Sequence, residues 1–374
     1  MKRIISSIFT LAALMLLPVA STLAQHPYLL IGTYTNNGMS KGIHVYSFDN
    51  NTGQMKPVSQ VETTSPSFLA VSADQQHVYA VNEGNGPGNV SSFKFDSTKG
   101  ELSLVSEVPA GGEYPCYVSI SKNGQFIAIA NYGTGNAVVY PIAANGEIDM
   151  PVQEVHHEGT GPNKARQEKA HAHAAVFSPD GNYLFINDLG IDKIMAYKFN
   201  QETGMLSPSN PAFVPVKPGS GPRHLTFDAS GNFAYLITEL TGEVIVYSYA
   251  NGWFHPLQTI STHPKNYTGI KGSADIHISP NGKFLYASNR GDANTLAIFK
   301  RNKNNGKLKL VGFQSTLGVM PRNFNFDPSG NFLLVANQAS NNVVAFRVNK
   351  KKGLLTPTGN SITVGSPVCI QWIK

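Results

Sequence analysis

Ionisable side chains that could act together on a small molecule recur between residues 171 and 322 of this 374-residue sequence. They are His171, His173, Arg223, His224, Glu239, Asp275, His277, Arg290 and Arg322. A neutral histidine can take a proton from water near physiological pH, and arginines stabilise negative charge that develops on oxygen. The set therefore suits acid–base chemistry on a molecule that carries or develops negative charge, provided that the fold brings these distant residues together.

A repeated sequence motif indicates a fold that could bring these residues together. A short alternating strand, a polar turn and a second strand recur, with the turn position at residues 75, 124, 181, 231, 282 and 330, separated by 49, 57, 50, 51 and 48 residues. Two clear copies of the turn are Ser178-Pro-Asp-Gly181 and Ser279-Pro-Asn-Gly282. Regular spacing over most of the chain is typical of repeat architectures.

Each repeat continues with further alternating segments, such as Val244 to Tyr249, so that four strands occur per unit of about 50 residues. Four-stranded antiparallel blades in sequence predict an all-β fold, the β-propeller. Residues 28–34 look like a second strand without a first, and residues 367–372 like a first strand without a second. We therefore expect seven blades, with the C-terminal strand joining the N-terminal blade. A β-helix or a pair of sandwiches would not explain the incomplete ends.

In such a ring, the start of each first strand and the end of each second strand lie at the same mouth of the central channel. Counting eight residues back from each turn position, and matching Pro367 to Pro222 and Pro321, gives an inner ring of Ser67, Cys116, His173, Arg223, Ala274, Arg322 and Val368. Counting eight forward gives a second ring of Glu83, Tyr132, Leu189, Glu239, Arg290 and Gln338. Nearly all the ionisable groups then fall on one arc, in blades four to seven.

The longest spacing marks an insertion before blade four, from Gly159 to His173. Because it leads into a first strand, it must cross the mouth, where it can serve as a lid or wall. His171 and His173 could place two rings on one side of a strand and bind a metal. No acidic or cysteine ligand is spaced with them, however, so we expect no metal and no other cofactor.

The N-terminus predicts export. Residues 1–24 contain Lys2 and Arg3, an apolar run from Ile4 to Val19 and a small-residue end at Ala24, the order of a cleavable secretory signal. An uncleaved membrane anchor is the alternative, but the run is shorter than the roughly 20 residues of a spanning helix. We expect residues 25–374 to form the propeller, exported to the periplasm or medium and free of the membrane after cleavage.

Charge and cysteine content argue against a nucleic-acid partner and against a disulfide bond. The net charge is 29 − 23 = +6, part of it in the predicted signal, and no regular basic stripe suggests nucleic acid. The two cysteines, Cys116 and Cys369, fall on the first strands of blades three and one, too far apart for a disulfide. The oligomeric state is not predicted.

In combination, these motifs resemble those of the seven-bladed β-propeller lactonases, a family that includes 6-phosphogluconolactonase and the carboxymuconate lactonizing enzyme. The similar segments are Gly161 to Glu168 running into His171-Ala-His173, Gly221-Pro-Arg-His224, Ala274-Asp-Ile-His277 and Ser288-Asn-Arg290. The resemblance covers essentially the whole mature chain. It implies that the family's proposed catalytic residues correspond to His173, Arg223, Glu239 and Arg290, four positions that the rings also select.

The leading hypothesis is then a metal-independent hydrolase that opens an anionic sugar lactone, with 6-phosphogluconolactone as the substrate that the resemblance implies. His173 would be the general base, Arg223 and Arg290 would stabilise the oxyanion, and Glu239 would orient them. His171, His224, Asp275, His277 and Arg322 are predicted to bind substrate. Export puts a cytosolic sugar phosphate in doubt as the substrate. The alternatives are a cycloisomerase of the muconate lactonizing type and a non-catalytic exported binding module.

Overall fold

The recurring polar turn forms as the sequence predicts. The computed structural model describes residues 27–36 and 38–374, so the predicted signal peptide lies outside the described residues. Five turn glycines adopt φ between 66° and 81°, a region that favours glycine, and Gln75 adopts φ 61° at the sixth position. In the blade-four copy, Gly181 N donates to Ser178 O at 2.9 Å and Tyr183 N donates to Ser178 Oγ at 3.0 Å. Each turn thereby joins a first strand to a second.

The described residues form 28 strands in seven four-stranded antiparallel sheets, which confirms the predicted propeller. Blade one contains β28 (Pro367–Ile373), β1 (Tyr28–Thr33), β2 (Gly42–Phe48) and β3 (Met55–Glu62). The first strands of blades two to seven are β4 (Pro66–Val71), β8 (Pro115–Ile120), β12 (Ala172–Phe177), β16 (Pro222–Phe227), β20 (Ser273–Ile278) and β24 (Pro321–Phe326). Their second strands are β5 (His77–Asn82), β9 (Phe126–Asn131), β13 (Tyr183–Asp188), β17 (Phe233–Thr238), β21 (Phe284–Asn289) and β25 (Phe332–Asn337).

The two outer strands complete each blade in the same order. The third strands are β6 (Pro87–Asp96), β10 (Asn136–Pro141), β14 (Lys193–Phe199), β18 (Glu243–Ala250), β22 (Thr295–Arg301) and β26 (Asn342–Val348). The fourth strands are β7 (Glu101–Glu113), β11 (Gln153–His156), β15 (Leu206–Pro215), β19 (Trp253–Ser261), β23 (Leu308–Ser315) and β27 (Leu355–Thr363). Within the part of the chain that the structure describes, no helix is long and apolar enough to cross a bilayer.

The ring closes as predicted from the incomplete ends of the repeat. Strand β28 pairs antiparallel with β1, from Tyr28 opposite Ile373 to Gly32 opposite Cys369. The last residues of the chain thereby supply the first strand of the blade that the N-terminal residues begin. Strand β28 covers the inner edge of β1, so blade one presents a first strand to the channel as the other six blades do.

The core lies between the blades. Seven clusters of buried apolar side chains each join two neighbouring blades, so that every blade interface in the ring has one. At the interface of blades one and seven, for example, Phe48 packs on Phe332 and Trp372 with ring centroids 5.5 and 4.9 Å apart. Burial between blades holds the ring together and leaves its central channel to other side chains.

A β-bulge at the mouth end of every first strand gives the channel its side chains. In all seven blades the pairing register between the first and second strands shifts at the residue of the predicted inner ring. In blade two, for example, it shifts between Pro66 and Phe68. Each first strand therefore carries one extra residue there. A bulge re-aims side chains, which allows the neighbours Arg223 and His224 to face the channel together instead of alternating.

Candidate active site

Glu239 lies at the centre of a charged cluster in the mouth of the channel. Its Oε2 accepts a hydrogen bond from Arg223 Nε at 2.9 Å and forms an ion pair with Arg290 Nη2 at 2.8 Å, while its Oε1 accepts a hydrogen bond from Arg166 Nη2 at 2.6 Å. Burial alone would raise the pKa of this carboxyl, but the positive charges of Arg290, Arg223 and Arg166 outweigh it and hold the pKa well below its usual value. The carboxylate is therefore ionised and surrounded by cations.

His173 adjoins this cluster with one ring nitrogen available. The residue is buried, with Nε2 4.0 Å from Glu239 Oε2 and Nδ1 3.8 Å from Cys116 Sγ. Among the described residues, Nε2 makes no hydrogen bond. Burial, reinforced by the positive charge of Arg223, holds the pKa of His173 well below its ordinary value. The ring is therefore neutral at pH 7 and can accept a proton.

Arg223 and Arg290 are held in place by backbone carbonyls as well as by Glu239. Arg223 Nη1 donates to Ala274 O at 2.6 Å, and Arg290 Nε donates to Gly272 O at 2.9 Å. Burial, with the charges of Arg290 and Arg322, lowers the pKa of Arg223 to about 10, so it remains charged at neutral pH. Fixed donors of this kind can stabilise an oxyanion without having to reorganise during the reaction.

Arg322 forms a second charged group with residues of blades one and two. Its guanidinium lies 5.3 Å from the Tyr34 ring centroid and its Nη2 lies 3.9 Å from Glu83 Oε2, to which Tyr34 Oη donates at 2.8 Å. Burial would lower the pKa of Arg322, but Tyr34 and Glu83 raise it further than burial lowers it. Within the described part of the chain, its guanidinium makes no hydrogen bond. It therefore has donors available for an anionic or hydroxyl group.

The structure brings His224, Asp275 and His277 together by their hydrogen bonds but not at the Glu239 carboxylate. Asp275 Oδ1 faces His224 Nδ1 at 2.8 Å and its Oδ2 faces His277 Nε2 at 2.9 Å, and Asn323 Nδ2 also donates to Oδ2 at 2.6 Å. His224, Asp275, Asn323 and His277 line a cavity of about 350 Å³ on the turn side of the channel. His224 Nε2 also lies 3.2 Å from Arg223 Nη1, so it links the cavity wall to the mouth.

Burial, followed by the charge of Arg223, lowers the pKa of His224 to about 4, so this histidine is neutral and accepts from Arg223 while donating to Asp275. Burial would raise the pKa of Asp275, but His277 and His224 hold it well below the usual value. The three residues satisfy one another's hydrogen bonds across blades five and six. That they bind substrate remains a prediction from the sequence.

The insertion before blade four crosses the mouth, as its position predicts, and brings a residue that the sequence analysis did not select. Arg166 contacts both Glu239 and the Tyr132 hydroxyl, the latter at 3.3 Å. His171 stacks on the Tyr132 ring with centroids 4.3 Å apart, and its Nδ1 donates to Tyr132 O at 2.8 Å. His171, near the end of the insertion, thus packs against blade three. Its predicted contact with substrate remains a prediction.

Two further residues of the mouth, Tyr34 and Glu83, were also not selected. Glu83 is a member of the second ring found by counting, and its negative charge at that position could have identified it as a site residue. Tyr34 is its counterpart in blade one, but the first and second strands of that blade come from opposite chain ends, so there is no turn from which to count.

Among the described residues, no group of three or more His, Cys, Asp or Glu side chains is placed to hold a metal. Cys116 and Cys369 are free and buried.

Comparisons with known proteins agree with this architecture. A family model described as lactonase, 7-bladed beta-propeller, matches residues 28–372. The 6-phosphogluconolactonase of Formosa agariphila is 38% identical over 348 residues, which cover 92% of this chain and 98% of that protein. The 6-phosphogluconolactonase of Bacillus subtilis is 35% identical over 346 residues, which cover 92% and 97%. The solved periplasmic gluconolactonase of Pseudomonas aeruginosa is 39% identical with a TM-score of 0.89, covering 93% of this chain and 99% of that one.

Proposed function

The chain belongs to the family of seven-bladed β-propeller lactonases, and from that membership and the geometry of the mouth we propose that it is an enzyme that hydrolyses a sugar lactone. The observation that carries this proposal is the cluster around Glu239, in which a neutral histidine and fixed arginines face one opening. Relatives at 35 to 39% identity are named for the hydrolysis of gluconolactones. The substrate class we propose is accordingly the lactone of gluconic acid, with or without a phosphate.

In the proposed reaction His173 Nε2 takes a proton from water as the water oxygen bonds to the lactone carbonyl carbon. The negative charge that moves to the carbonyl oxygen is stabilised by N–H groups of Arg223 and Arg290, which Glu239 and backbone carbonyls hold in place. The bond from carbon to the ring oxygen then breaks, and the proton on His173 passes to that oxygen. The product is the open-chain hydroxy acid.

We propose that Arg322 binds the end of the substrate remote from the reacting carbonyl. Its free donors suit a phosphate or carboxylate, and the neighbouring Glu83 carboxylate can accept hydrogen bonds from the hydroxyl groups of an uncharged sugar. The same site can therefore serve a phosphorylated or an unphosphorylated lactone. Which of the two binds better depends on how far Glu83 offsets the charge of Arg322.

Export is a further part of the proposal, based on the order of charged, apolar and small residues in residues 1–24. An exported enzyme would meet unphosphorylated lactone outside the cytosol. Fractionating cells that produce the full chain tests this: a mature protein beginning at Gln25 in the periplasm or medium supports export. An intact chain that still begins at Met1 in the cytosol contradicts it.

The proposed function is tested by adding the purified protein to glucono-1,5-lactone and to its 6-phosphate and titrating the acid released. Ring opening must exceed the spontaneous rate in proportion to the protein added. A muconate substrate, followed by its ultraviolet absorbance, checks for cyclisation instead. Acid release at the buffer rate with both lactones would refute the proposal.

A further inference from the structure

The loop across the mouth, residues 157–171, contains most of the predicted insertion and is anchored by hydrogen bonds at both ends and in its middle. Asp188 holds both of its ends: Oδ2 lies 2.7 Å from His157 Nδ1, and Oδ1 accepts the His171 backbone N–H at 2.8 Å. In between, the fully buried Gln167 side chain accepts from Asn163 N at 3.1 Å and donates to Leu189 O at 2.9 Å. These hydrogen bonds fix the backbone of the loop, so any side chain that it carries is delivered to a defined place in the mouth.

Arg166 is the side chain that this loop extends to Glu239, and it differs from the other two arginines there. Its side chain is 42% exposed, against 1% for Arg223 and 12% for Arg290. Both of its contacts, with Glu239 Oε1 and the Tyr132 hydroxyl, use the same nitrogen, Nη2. Its Nε and Nη1 make no hydrogen bond within the described residues, so these donors face solvent in the mouth.

The pairing of Arg166 with Glu239 can be broken without leaving an unpaired buried charge. Removing one member of a buried ion pair is strongly destabilising when the remaining charge is left alone. Here Glu239 keeps Arg223 and Arg290 on its other oxygen, and both remain fixed by backbone carbonyls. Glu239 therefore stays paired when Arg166 leaves, and Arg166, as the most exposed of the three arginines, can move into solvent without its own charge being buried alone.

We propose that Arg166 is a further substrate-binding residue, which leaves Glu239 Oε1 and donates its forked N–H groups to the negatively charged oxygens that the reaction creates. This inference rests on the proposed lactone hydrolysis. The oxygens are the oxyanion at the lactone carbonyl and then the carboxylate of the product. A planar guanidinium can bind two oxygens of a carboxylate at once, which an ammonium group does not match.

The test compares Arg166→Gln and Arg166→Lys with wild type in kcat/KM for glucono-1,5-lactone and in the Kd for gluconate, the product carboxylate. Lys169→Gln is the control, because it removes an exposed positive charge from the same loop three residues away. We expect kcat/KM to fall about 100-fold in R166Q, as when an oxyanion donor is removed. R166K should regain about a tenth of the activity or less, and K169Q should stay within about twofold of wild type.

The lysine variant separates binding from mere neutralisation of Glu239. If Arg166 only neutralised Glu239, lysine would restore activity and Kd, and that result would overturn the proposal, as would wild-type values in R166Q. If the wild-type protein opened no lactone, the proposed function would fail on its own, and gluconate binding would still decide this inference. Weaker gluconate binding in R166Q than in K169Q would support it, and equal or absent binding would refute it.

Discussion

Glu239 and its arginines form a buried charged cluster that suits the proposed chemistry. Transferring an ion from water into a protein costs several kcal/mol, and a buried ion pair adds little net stability compared with apolar residues of the same volume. The Arg223 side chain is nevertheless only 1% exposed and that of Glu239 only 6%. Such a cluster is better explained by chemistry than by stability, since perturbed ionisable groups gather at functional sites.

The lowered pKa of His173 predicts the pH dependence of turnover. As a general base His173 must be neutral, and a lowered pKa keeps it neutral as the pH falls past 6.5, the ordinary histidine value. We therefore expect kcat/KM, measured from pH 7.5 down to 5 with the spontaneous rate subtracted, to stay level at pH 6.5. Its fall should begin only at lower pH, and a midpoint at about pH 7 would contradict the assigned role.

At the level of the elements, the loop over residues 157–171 and the bulged first strands place the groups that act. The bulges turn the first strands' side chains into the channel, and the loop adds Arg166 from above. Asp188, at the end of β13, binds both ends of the loop, so blade four fixes the position of its own insertion. The activity should accordingly depend on residues that never touch the substrate.

Gln167 provides the test at this scale. The change Gln167→Ala removes the hydrogen bonds of the Gln167 side chain with Asn163 N and Leu189 O but leaves those of Asp188 at the two ends of the loop. Arg166 should then lose its fixed position and kcat/KM should fall by about tenfold or more. Gln258→Ala is the matched control, because Gln258 makes an equivalent pair of hydrogen bonds to Leu308 in the outer strands. Steady-state kinetics should show full activity for Q258A. Equal losses in both variants would mean that Gln167 acts only through stability.

At the level of the whole molecule, the closed ring keeps the mouth in one piece. Sequence-distant residues meet there because seven similar interfaces between blades set the position of every first strand. Strand β28 closes the last of these interfaces, since Ile370 and Trp372 belong to the cluster between blades one and seven. The C-terminal strand should therefore stabilise the entire ring.

Urea unfolding of Ile370→Ala measures that contribution. Ile370 is fully buried, so the change should lower the free energy of unfolding by about 2–5 kcal/mol. Activity per folded molecule should be unchanged, because the side chain lies between blades. Val58→Ala, at an exposed position in the outer strand of the same blade, should lose no more than about 0.5 kcal/mol. Equal stability of the two variants would show that the closing strand contributes little.

The fold was predictable because six repeats share the turn and have first and second strands of six residues each, so that counting eight residues from a turn reaches the mouth. The same counting selected His173, Arg223, Glu239 and Arg290, which the structure brings together. It did not select Arg166, because an insertion has no register in the repeat. Counting also did not show that Arg223 lies at the mouth and His224 deeper on the channel wall. The bulge turns both side chains inward, so their positions along the channel depend on the three-dimensional structure.

The central claim is that His173 acts as the base for lactone opening within the Glu239 cluster. The most direct measurement is kcat/KM for glucono-1,5-lactone in wild type and in His173→Asn, with circular dichroism spectra to verify that both are folded. We expect wild-type turnover above the spontaneous rate and a loss of about 100- to 10,000-fold in the variant. A folded His173→Asn protein that opens the lactone as fast as wild type would contradict it.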